Sequence, residues 1–312
     1  RLSVNSYAFQ NIDQLVIDAG NTNLNSGYYT LGRGDQLIPG NIYSFQSGDW
    51  NDPLTWTTDP SGALRTPSSG LVPTPSDNVT ILSGDVVTMD SDDNDGLNLE
   101  VNDRLVIGNT SGHDFTNIAG NGIISIAGDA FNNDNFPNGS TGLFADSIVG
   151  GTVEIVGTAI NLNQDRTYNN LIINLDNSTD IATLTSDYTL FGDMTVRSGE
   201  FSINDNSSTT NLQITAYGDV FVESDGSFTT GSANARHQFN FYGNLNVAGS
   251  LNFTNRGAPN YGGEATDGIV DANFLNDTKN QSIDCNGVSN FYRIEIDKGT
   301  DQTYILDINS SS

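Results

Sequence analysis

These 312 residues predict an all-β fold, a right-handed parallel β-helix with an N-terminal cap. Three observations carry that expectation. The first is a phrase written three times. Gly192-Asp193-Met194-Thr195-Val196 is followed by Gly199-Glu200-Phe201-Ser202-Ile203. Gly218-Asp219-Val220-Phe221-Val222 is followed by Gly226-Ser227-Phe228-Thr229, and Gly243-Asn244-Leu245-Asn246-Val247 by Gly249-Ser250-Leu251-Asn252-Phe253. The leading glycines lie 26 and 25 residues apart, and Gly268 opens a weaker copy after another 25. A fixed period of this size marks a repeat architecture. The second observation is alternation, with apolar residues at every other position in runs bounded by Gly, Asn, Asp and Ser, which gives about three short strands per period. Tyr188 with Leu190, Leu212 with Ile214, and Phe239 with Phe241 each precede one copy. The third is the absence of any long stretch with helical periodicity. Tandem β-sandwiches are the rival fold, and the 25-residue recurrence argues against them.

Taken in order, residues 1–75 are expected to form a cap and the first strands. An exposed solenoid end would otherwise present open core and unpaired edges. Leu15-Val16-Ile17 and Gly27-Tyr28-Tyr29-Thr30-Leu31 are strand-like, and Trp50 and Trp56 lie six apart across a turn as an aromatic plug for the core. Residues 76–312 are the repeat region, expected to continue beyond Ser312. Leu97-Asn98-Leu99-Glu100-Val101, Leu105-Val106-Ile107 and Gly122-Ile123-Ile124-Ser125-Ile126 alternate like the central copies. Tyr168 to Asn174 recurs at Phe291 to Asp297, an offset of 123, close to five periods. From Asn78 to Ile308 this allows roughly nine turns, a stack about 40–45 Å long at ~4.8 Å per strand spacing. Residues 128–146 and 255–268 interrupt the rhythm as insertions, which in solenoids leave the stack as loops.

The run from Tyr43 to Met89 resembles the opening of large secreted surface proteins of the Bacteroidota, cargo of the type IX secretion system. It is also similar to the eight-glycine domain that begins several extracellular β-helix proteins. Gly150-Gly151-Thr152-Val153-Glu154-Ile155, Tyr168-Asn169-Asn170-Leu171-Ile172-Ile173-Asn174 and Phe291-Tyr292-Arg293-Ile294-Glu295-Ile296-Asp297-Lys298-Gly299 fit the same group. The resemblance covers about residues 42–308 and brings no catalytic residues. It implies an extracellular or cell-surface location, with type IX translocon or shuttle components as partners; surface glycans are the partners that an adhesive or carbohydrate-binding role would add.

Charge narrows the function classes. Eleven basic against 38 acidic residues give a formal charge of −27. Nucleic acid needs clustered Lys and Arg, and here there are two lysines and nine scattered arginines. No apolar run approaches a membrane span. The single cysteine, Cys285, has no intrachain disulfide partner and reads as a buried thiol.

The chemistry-bearing residues point away from catalysis. His113 and His237 are the only histidines, neither in a nucleophile-elbow context, and with one Cys they do not supply a zinc ligand set. Asp193, Asp219 and Asn244 occupy equivalent places after the turn glycines, where Asp and Asn brace turns. Asp90, Asp92, Asp93 and Asp95 form the candidate calcium loop, since calcium favours clustered oxygens on a loop closed by a glycine, here Gly96. Against the EF-hand pattern Ser91 and Asn102 fail at both ends, so a solvated turn is the preferred reading. Arg33-Gly34-Asp35 is read as chance. Asp146-Ser147-Ile148 resembles the short O-glycosylation site of exported proteins of that phylum, with Ser147 as acceptor. The functional expectation is a non-enzymatic structural or adhesin module, and the alternative is a carbohydrate-binding or polysaccharide-cleaving β-helix.

Overall fold

The structure is a computed structural model and describes residues 40–128, 132–133, 135–145, 150–203, 211–230, 235–254 and 268–310. Among these there is no helix, and the strands fall into three sheets in which almost every neighbour is parallel. Apart from Trp56–Thr57 at the edge of the first sheet, sequence order within a sheet is spatial order, each strand pairing with its equivalent in the neighbouring rungs. This arrangement is compatible with a solenoid.

The first sheet stacks Asn41–Ser44, Asn78–Ile81, Asn98–Val101, Asp114–Ala119 and Asn138–Ser140 in parallel, with Trp56–Thr57 closing one edge antiparallel. Parallel stacking thus already includes Asn41, inside the segment assigned to the cap. The second sheet has 16 strands and runs the length of the described chain, from Gly48–Asp49 to Leu306–Ser310. The third begins at Arg166–Tyr168 and continues through Tyr188–Leu190, Gln213–Ala216, Arg236–Phe241, Ile269–Phe274 and Arg293–Ile296.

Alternation decides which face is buried. In Tyr188–Leu190 and Leu245–Val247 the outer residues are buried and the middle one is half-buried. Successive rungs then place like on like: Tyr188 pairs with Ile214 and Ile214 with Phe239, while Leu190 pairs with Ala216 and Ala216 with Phe241. The register mate of Leu190 is therefore Ala216, and Leu212 lies one alternation earlier than the sequence pattern suggested. Phe239, Phe241 and Phe274 stack through the core, with ring centroids 4.1 and 4.7 Å apart. Trp50 and Trp56 are both buried, edge to face at 5.1 Å, and the Trp56 indole N–H donates to the Trp50 carbonyl at 2.7 Å.

Rung length is not constant. Asn78 pairs with Asn98 and Asn98 with Asn117, steps of 20 and 19 residues, whereas Tyr188 to Ile214 is 26. The short early rungs let more turns fit than a uniform 25-residue period allows. Leu245 pairs with Ile283, a step of 38 that takes up the insertion at 255–267. Gly268 consequently precedes Ile269–Phe274 in the third sheet and does not repeat the Gly243 position. Similarly, Asn170–Asn174 lies in the second sheet and Arg293–Ile296 in the third, so the 123-residue echo joins different columns.

Candidate functional site

In the candidate calcium loop three of the four carboxylates attend to separate neighbours. Asp90 Oδ1 accepts from the Asn51 side-chain amide at 3.0 Å. Asp92 Oδ1 accepts the Ser111 backbone N–H at 2.7 Å, and Asp95 Oδ1 that of Asp114 at 2.9 Å. Asp93 adopts φ 56°, and its N–H donates to the Ser111 carbonyl. Asn94, buried at the centre, donates its N–H to His113 Nδ1 at 3.2 Å. Among the described residues no group of three or more His, Cys, Asp or Glu is arranged to hold a metal ion. Burial holds His113 below its ordinary value, against the upward pull of Asp95, Asp92 and Asp93. His237 repeats the device: it is buried and its Nδ1 accepts the Leu212 N–H at 3.0 Å.

The corner residues form a continuous brace. Asn170 Oδ1 accepts the Asp193 N–H at 2.8 Å, Asp193 Oδ1 that of Asp219 at 2.8 Å, and Asp219 Oδ1 that of Asn244 at 2.7 Å. Asn244 Oδ1 then takes the Ser282 N–H at 2.8 Å. The glycines beside them permit this approach, since a Cβ on Gly243 would lie 2.0 Å from the Gly218 carbonyl oxygen. A second brace runs through Asn41, Asn78, Asn98 and Asn117, amide to amide at 2.7–3.0 Å. Next to the Asp corner, Tyr217 stacks on Phe191 at 5.6 Å and on Tyr242 at 4.7 Å. Phe191 and Tyr217 are exposed, yet the facing ring surfaces are used on one another. Ser147, the candidate glycosylation acceptor, lies outside the described residues. Cys285 is a free thiol, half-buried rather than buried, because it sits near the last described rung.

Two charge clusters on outward faces went unread in the sequence. In the first, Glu154 is 5% exposed. Its Oε2 accepts from the Arg104 guanidinium and from Ser125 Oγ at 2.9 Å; its Oε1 accepts from Asn174 at 3.0 Å, with Arg197 at 3.9 Å. Burial pushes this carboxyl up, but Arg104, Ser125 and Asn174 outweigh it and hold the group below the usual carboxylate range.

In the second, Asp271 is 1% exposed, and its Oδ2 accepts from Arg236 Nε at 2.6 Å and Arg293 Nη2 at 3.0 Å. Arg293 also reaches Glu295 at 2.9 Å. The hydrogen bond Arg236 donates to Asp271 raises its guanidinium above its ordinary value. Asn273, two residues on, donates to Asn240 Oδ1 at 3.0 Å, and Asn240 donates to Thr215 Oγ1 at 3.2 Å. Among the described residues, Asp271 Oδ1 and Asn273 Oδ1 are buried without a hydrogen-bond partner. Spacing hid this group, since 35 residues separate Arg236 from Asp271 and 22 separate Asp271 from Arg293. The readable signal was polar–apolar alternation in Ile269–Phe274, whose six residues are nevertheless all buried.

Compared with protein-family models, curated proteins and solved structures, the chain matches none of them.

Proposed function

We propose that the chain is a right-handed parallel β-helix serving as a non-enzymatic structural or adhesive module of a secreted or cell-surface protein, exported through a type IX secretion system. The observation that supports this reading is where the recurring polar residues go. Asp193, Asp219, Asn244 and the Asn41–Asn117 series are committed to rung-to-rung hydrogen bonds rather than converging on a reacting centre. Parallel strands joined by crossovers favour the right hand in almost all known cases. Function on this reading lies in stiffness and in an acidic, loop-bearing surface, with export components and surface glycans as partners.

The test is incubation of the purified chain with a panel of polysaccharides, with and without calcium, scoring new reducing ends. None are expected, and their appearance would overturn the non-enzymatic reading. Surface display in a type IX-competent host, compared with a strain lacking the translocon, tests the export route: display independent of the translocon would refute it.

A further inference from the structure

The last described rung leaves its core side uncovered. Its strands are Val288–Asn290, Arg293–Ile296 and Leu306–Ser310, and each has a strand neighbour on one side only. Register places Ile296 over Phe274 and Ile308 over Ile283, both fully buried. Ile296 and Ile308 continue those core columns, yet they are 54% and 57% exposed. Apolar side chains aimed along a core, beside open strand edges, form a surface that a further layer of strands fits.

Charge selects which layer. Arg293-Ile294-Glu295 is its own complement when laid antiparallel on itself. With a two-fold axis through Ile294, Arg293 of each copy faces Glu295 of the other, and Ile294 faces Ile294. The neighbouring register that keeps apolar opposite apolar centres on Glu295 and sets two carboxylates face to face, which is unfavourable. Arg293 and Glu295 are available for this pairing, with side-chain exposures of 43% and 54%. A two-fold contact requires such self-complementarity. The step of the stack fits as well, because successive strands of a rung each climb about a third of the ~4.8 Å strand spacing. Rotation about an axis through Arg293–Ile296 sets the low strand, Val288–Asn290, opposite the high strand of the copy, Leu306–Ser310. The gap is then one strand spacing in all three columns.

We infer that a second copy of this chain covers the last described rung, head to head, by antiparallel pairing of these three strands about a two-fold axis through Ile294. The contact buries Ile296 and Ile308. Long-range repulsion between two chains of formal charge −27 is screened within ~8 Å at physiological ionic strength, whereas strand pairing acts at contact. This pairing needs only stacked rungs, not export or adhesion, so a monomer would leave the functional reading standing.

Sedimentation velocity of the full chain across a concentration series is expected to show a monomer–dimer equilibrium. Ile296→Lys and Glu295→Arg are each expected to weaken dimerisation at least tenfold with the urea midpoint kept. Leu64→Lys, at an exposed apolar residue of an early loop, should leave it unchanged. In a Cys285→Ser background, Ile294→Cys should give a disulfide-linked dimer under mild oxidation, since directly opposed residues of an antiparallel pair lie within disulfide reach. A monomer at every concentration means that something other than a second copy covers the rung, and it overturns the proposal. So does a dimer that both end-rung substitutions leave intact, or one that Leu64→Lys weakens equally. A dimer in which Ile294→Cys stays unlinked also overturns it, because the copies then meet elsewhere or head to tail.

Discussion

Glu154 and Asp271 are both carboxylates buried on the outward face of a parallel sheet, and each is set between two arginines. They differ in one oxygen. Glu154 has partners on both, Arg104 and Ser125 on one side and Asn174 on the other. Asp271 places both arginines on Oδ2 and leaves Oδ1 bare. A buried ion is tolerated when its remaining lone pairs are satisfied. By that standard Glu154 is a closed brace across four rungs, while Asp271 is held in place and still holds one acceptor in reserve. The comparison teaches that burial and ion pairing alone do not tell how fully a buried carboxylate is satisfied; the count of unused lone pairs does.

The largest expected effect tests the stack beneath both clusters. Val247 is buried and Asn246 half-buried beside it. Val247→Asp should unfold the repeat region, because an unpaired charge enters an apolar core, while Asn246→Asp should fold. Equal loss of the denaturation midpoint in both variants would break the assignment of faces.

Next is the brace. Glu154→Leu removes the acceptor that neutralises Arg104 and orphans Ser125 and Asn174, at a cost of about 3–5 kcal/mol in urea unfolding. Asp271→Asn should cost less, about 1–3 kcal/mol, since Arg236 and Arg293 are half exposed and can turn to water. If the two substitutions cost the same, the distinction drawn between the clusters collapses.

Acid sharpens the comparison with a smaller effect. His113 is kept neutral by burial, so its folded value lies below the unfolded 6.5. The unfolded chain takes up the proton first, and stability falls as the pH drops below about 6.5. Glu154 lies below its unfolded 4.5, so its contribution is complete above that value and is lost as the pH falls through the lower folded one. Midpoints measured from pH 7.5 to 3 should show two declines, the upper absent in His113→Asn and the lower absent in Glu154→Gln. A single decline unchanged by either substitution would refute both assignments.

Much of the architecture was legible in the sequence. The 26- and 25-residue steps of the leading glycines set rung length in the central copies, and alternation named Tyr188, Leu190, Phe239 and Phe241 as inward. The Asp193–Asp219–Asn244 brace was legible for the same reason, since equal spacing places equivalent side chains one strand spacing apart. The clusters were illegible because their members come from rungs of unequal length. Arg104 and Glu154 are 50 residues apart, and Arg236 and Asp271 are 35.

Composition and periodicity, which act locally and repeat, were therefore enough to specify an all-β chain of stacked parallel strands and the residues facing its core. Which charges meet across the outside of the stack depends on how much chain each insertion absorbs. That is settled when hydrogen-bonded register brings distant rungs together, as Asp271 opposite Arg293 illustrates. Local pattern fixes which way a side chain points, and register fixes what it finds there.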